Sequence, residues 1–69
     1  MDIGEKIRIL AVKNKISVQQ LAERSGQSSA NLYNKLSRGS FKVSELEKLA
    51  AAVGCSLEVN FIMPNGEKV

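Results

Sequence analysis

The segment SVQQLAERSGQSSANLYNKLSRG, from Ser17 to Gly39, carries a start and a stop signal for each of two short helices, and no other stretch limits the fold as strongly. The Ser17 hydroxyl can accept from an orphan backbone N–H, and Gln20, three residues on, can return the bond as a capping box. Leu21 and Ala22 are the inward pair. Ala22 is small enough to let the next helix approach closely. Gly26 then stops the first helix of the pair, because glycine takes the left-handed backbone without a Cβ clash. Ser28 offers a second N-cap. Beyond it Leu32 and Leu36, at i and i+4, face inward, which leaves Ser29, Ala30, Asn31, Tyr33, Asn34, Lys35 and Arg38 outside or on the flanks. Gly39 closes the element.

The flanking sequence predicts a frame for this pair. Asp2 and Glu5 form a D-x-x-E start for a first helix running to about Asn14, with Ile3, Ile7 and Leu10 on one face. Ile9 and Val12 fall on the far side of that helix and call for a second cover. Ser44 and Glu47 predict a capping box opening a fourth helix, whose Leu46, Leu49, Ala50 and Val53 share a face before Gly54 stops it. Phe41 is expected in the core and Cys55 as a small buried hydrophobe. The remainder, LEVNFIMPNGEKV, alternates Leu57, Val59, Phe61 and Met63 against Glu58, Asn60 and Ile62, the period of a half-buried strand. Pro64, Asn65 and Gly66 supply a turn that brings Glu67 to Val69 back beside it. The expected fold is mainly α, a four-helix domain over residues 1–56 with a C-terminal β-strand or short hairpin over 57–69.

Composition narrows the chemistry. With 69 residues, 43% of them hydrophobic, the chain makes one domain with no room for a deep catalytic pocket. A single cysteine and no histidine exclude an internal disulfide and a Cys/His zinc site, so neither metal nor cofactor is expected. No Ser/His, Cys/His or paired-carboxylate arrangement is evident, and the reading is not an enzyme. MDIGEK lacks the basic start and apolar run of a secretory signal, and no apolar run is long enough to span a membrane; the expected compartment is the cytoplasm. The net charge of +3 is modest, but Arg24, Lys35, Arg38 and Lys42 lie between Glu23 and Glu45 without an intervening acid. Cations gathered on one surface bind the phosphates of a duplex by displacing its counterions.

ISVQQLAERSGQSSANLY followed by SELEKLAAAVGCSL resembles the helix-turn-helix domain of the phage-repressor, Xre/Cro-type family, over roughly Ile3 to Leu57. The resemblance implies transcription regulators that bind operator double-stranded DNA as dimers, with the third helix, about 29–38, in the major groove. On that basis Ser29, Ala30, Asn31 and Asn34 are candidate base contacts, and Gln19, Arg24, Ser28, Tyr33, Lys35, Arg38 and Lys42 candidate backbone contacts. Val18 stands where the family often places glutamine, so the phosphate contact that the resemblance implies is either missing here or transferred to Gln19. Asparagine can read an adenine edge bidentately or bond to its own backbone, and Tyr33 can touch a sugar or phosphate or lie over the core edge. For the tail, Val59, Phe61 and Met63 are the expected homodimer interface, against a monomeric hairpin packed on its own domain. The rival function is a protein-interaction module, such as the antitoxin half of a toxin–antitoxin pair. RNA binding ranks last, since one tyrosine and two phenylalanines offer few stacking platforms.

Overall fold

The computed structural model describes residues 2–69; Met1, the first residue of the expected 1–56 domain, lies outside the described residues. Four helices follow one another: α1 (Ile3–Lys13), α2 (Val18–Arg24), α3 (Ser29–Arg38) and α4 (Val43–Ala52). The starts of the first three are set by side-chain caps. Asp2 accepts from the Glu5 N–H at 3.1 Å, and Ser28 from the Asn31 N–H at 3.1 Å. Ser17 and Gln20 form the reciprocal box, at 3.0 and 2.9 Å. The ends of α1, α2 and α4 share one closing bond, in which the N–H of Ile16, Gln27 or Cys55 donates back to the carbonyl of Ala11, Ala22 or Ala50. That closure needs a left-handed residue just past the helix. Gly26 and Gly54 provide it, with φ of 80° and 71°, but α1 uses Lys15 at φ 57°, where the Cβ clash costs about 1 kcal/mol.

The core is Ile7, Ala11, Leu21, Ala22, Leu32, Leu36 and Leu49. Helix α2 is its hub, packing on each of the other three helices. Its Leu21 and Ala22 are completely buried, as is Leu32 opposite; complete burial of one such leucine contributes about 1.5–3 kcal/mol. Phe41 packs against the cluster as expected. Helix α1 differs from its expected face. Its buried stripe is Gly4, Ile7 and Ala11, while Ile3 and Leu10 are only half-buried. Gly4 lies beside α3, where an added Cβ would meet the Leu36 carbonyl oxygen at 3.5 Å, an ordinary contact distance. The half-buried Ile3 and Leu10 line an apolar groove of about 180 Å³ with Leu46, Leu49 and Leu57.

Helix α4 also starts elsewhere than Ser44. Its N-cap is Lys42, with no side-chain capping bond, so Ser44 lies inside the helix and no Ser44–Glu47 box forms. This start puts Glu45 in the first turn, where the positive end of the helix dipole favours a carboxylate.

The segment after α4 corrects four further expectations. Among the described residues no C-terminal strand forms: the only regular pairing is an isolated antiparallel bridge between Ile62 and Lys68. The turn itself is made, with the Gly66 N–H donating to the Met63 carbonyl at 2.8 Å and Phe61 and Val69 exchanging backbone bonds at 2.7 and 2.8 Å. Three returning residues are too few to build a ladder. Nor is the segment half-buried, since Phe61 and Ile62, on opposite faces, are 76% and 69% exposed. It leaves Ile9 and Val12 uncovered as well. Cys55 is exposed rather than buried, because the chain turns out of α4 at Gly54. Among the described residues no helix is long and apolar enough to cross a membrane.

Candidate nucleic-acid interface

The outward face of α3 follows from its buried one. Leu32 and Leu36 fix the inner seam, and at 100° per residue Ala30, Asn34 and Arg38 fall opposite it. All three are exposed. Tyr33, 49% exposed, stands on one flank, while Asn31 and Lys35 occupy the other. Ser29 is half-buried at the inner edge, and the Ser28 hydroxyl is engaged in capping α3. Gln19 and Arg24 are exposed at the two ends of α2, and Lys42 is exposed at the start of α4. The residues expected to touch DNA therefore lie on α2, α3 and the start of α4. Val59, Phe61 and Met63 stand apart from them on the exposed tail.

The four cations do not share one environment. Lys35 Nζ lies 2.9 Å from Glu45 Oε2, with both side chains about three-quarters buried. The Lys35 ammonium beside it, by hydrogen bond and charge, holds the Glu45 carboxyl below the usual carboxylate range; burial opposes this and Lys42 adds to it. Lys35 thus meets a phosphate only by sharing its charge with Glu45 or leaving it. Arg24, Arg38 and Lys42 remain exposed.

Four residues at this surface were not singled out by the sequence. Ser25, Gln27, Glu45 and Lys48 line a polar pocket of about 210 Å³ with Asn31 and Lys35. Glu45 and Lys48 are one helical turn apart on α4, a spacing visible in the sequence, but nothing local says that this turn meets α3. Gln27 closes α2 through its backbone N–H and bonds through its side chain to both Ser25 and Asn31. The arrangement is a polar, partly cationic helix face of exposed amide and cationic side chains beside a polar pocket.

A family model described as the Cro/C1-type HTH DNA-binding domain matches residues 6–58. Comparison with curated proteins and with solved structures returns no match.

Proposed function

The chain belongs to the Cro/C1-type helix-turn-helix DNA-binding family, and from that premise we propose that it is a sequence-specific, non-enzymatic regulator whose α3 enters the major groove of an operator. The observation that carries this reading is the outward stripe of Ala30, Asn34 and Arg38, exposed and opposite the buried Leu32–Leu36 seam. Asn34, a full turn into the helix, is the principal base reader, with Ser29, Ala30 and Asn31 beside it. Arg24, Arg38, Lys42 and Gln19 position the backbone, since phosphate contacts set register and base contacts set sequence. Selection of duplexes from a random pool tests it. The expected result is an enriched site whose binding weakens steeply with salt. Failure to enrich any sequence at low ionic strength would remove the reading.

The same proposal extends to a homodimer through the tail. Leu57, Val59, Phe61, Ile62 and Met63 are all exposed, and the Phe61 and Met63 backbone groups bond inward to Val69 and Glu67. By strand alternation the backbone groups of Glu58, Asn60 and Ile62 face the open edge. Pairing two such edges antiparallel about Asn60 sets Val59 opposite Phe61 and Leu57 opposite Met63 of the second copy, aromatic and branched pairs that stabilise a sheet. Two recognition helices about 34 Å apart would then meet successive grooves. Sedimentation showing a monomer at high micromolar concentration would reject the dimer. The exposed tail also supports a second reading, capture of a protein partner as an antitoxin does. An apolar interface of that kind would hold its affinity as salt rises, where DNA binding would not.

A further inference from the structure

Three side-chain hydrogen bonds run in one direction from α3 back to the end of α2. Ser25 Oγ donates to the Ala22 carbonyl at 2.9 Å, Gln27 Nε2 donates to Ser25 Oγ at 3.1 Å, and Asn31 Nδ2 donates to Gln27 Oε1 at 3.4 Å. The polarity is forced from the anchored end. A carbonyl oxygen only accepts, so the Ser25 hydroxyl commits its single proton there and turns its lone pairs to Gln27. The NH2 end of Gln27 answers them, its Oε1 consequently faces Asn31, and Asn31 meets that oxygen with its own NH2. Turning the Gln27 amide over would set its oxygen against a hydroxyl already committed elsewhere, and turning the Asn31 amide would set two acceptors face to face. Ser25 and Gln27 are half-buried, whereas Asn31 is exposed. The relay thus ties an outer side chain to the C-terminal end of α2.

The geometry points to Ser25 and Gln27 as positioning residues for base reading. They hold the Asn31 amide so that Oδ1 and its second N–H are left free for the groove, the pair that accepts from N6 and donates to N7 of one adenine. An amide ordered before binding also loses less rotamer entropy on contact. This inference rests on the proposed entry of α3 into the major groove, and it assigns to Asn31 a preset orientation within that groove.

The test compares wild type, Ser25→Ala, Gln27→Ala and Ser25→Thr in selection from a random duplex pool, and follows the Asn31 side-chain NH2 resonances of each free protein by NMR. Ser25→Ala and Gln27→Ala are expected to lower the preference for adenine at one position by about 3- to 10-fold, part of the roughly 5- to 150-fold that a bidentate amide contact confers. Preferences at other positions and the salt slope are expected to stay as in wild type. Ser25→Thr, which keeps the hydroxyl, is expected to restore the preference, an outcome that a general loss of folding would not give. In the free protein the Asn31 NH2 signals should move toward those of a solvated amide in both alanine variants. If wild type enriches a site while Ser25→Ala and Gln27→Ala keep every base preference, the positioning role is overturned and the groove reading stands. Wild type enriching no site overturns the groove reading, and unmoved Asn31 signals overturn the relay whether or not DNA binds.

Discussion

The helical body and the tail are both rich in apolar side chains, yet they treat them in opposite ways. In the body, leucines at helical spacing converge on α2, and the face left to solvent carries amides and cations. In the tail, Val59, Phe61, Ile62 and Met63 all remain open to solvent, and the backbone bonds of the fold-back reach only from Phe61 to Val69. The family match covers the body and stops at residue 58. The difference teaches that periodicity marks which residues want cover, while the cover itself requires a second element within reach. Helix α2 has three such elements; the tail has a three-residue return.

Core truncation gives the largest effect expected from this contrast. Leu21→Ala, at the fully buried hub, should lower unfolding free energy by about 2–5 kcal/mol in urea titration. Asn34→Ala should leave folding intact and lower discrimination at one base pair by about 1–3 kcal/mol if the contact is bidentate. Equal losses on selected and scrambled duplexes would deny Asn34 its reading role. Lys15→Gly should raise the melting temperature, through relief of about 1 kcal/mol at the left-handed end of α1. An unchanged or lower melting temperature would mean that the lysine side chain makes up for its backbone.

The smallest effects concern charge and the tail. Because the folded protein holds Glu45 below its ordinary range, the Lys35–Glu45 pair contributes stability above the unfolded carboxylate value. That contribution is lost as pH falls through the lowered value. Glu45→Gln should therefore flatten the acid limb of a stability profile; an identical limb would show the pair to be without effect. Phe61→Ala should shift single-chain stability at low concentration by less than about 0.5 kcal/mol, as for a surface site, while removing any concentration-dependent association. A loss as large as that of Leu21→Ala would erase the distinction between body and tail.

Much of the body was legible because its signals are local. Ser17 with Gln20, Ser28 before α3, and Gly26 and Gly54 after their helices act within a turn of their own position, so a linear reading suffices. Competition between neighbours defeated it elsewhere. Ser44–Glu47 and the start at Lys42 are overlapping ways to open α4, and the choice places Glu45 against Lys35, a partner on another helix. Gly4 is buried beside α3, which a glycine inside a helical pattern does not announce. The tail alternates as a strand does, but alternation carries no information about whether a neighbouring strand exists. At the proposed DNA-facing surface the residue types are visible in the sequence and the Ser25–Gln27–Asn31 relay is not, since it depends on the angle at which α3 leaves the turn.

The central claim, that the outward face of α3 lies in the groove, is tested most directly by following backbone and side-chain amide signals while a selected duplex is titrated in. The account predicts the largest perturbations at Ala30, Asn31, Asn34 and Arg38, with smaller ones at Gln19, Arg24 and Lys42 and none along the Ile3–Leu10 side of α1. Perturbations gathered on α1 and the apolar groove, with α3 silent, would contradict it.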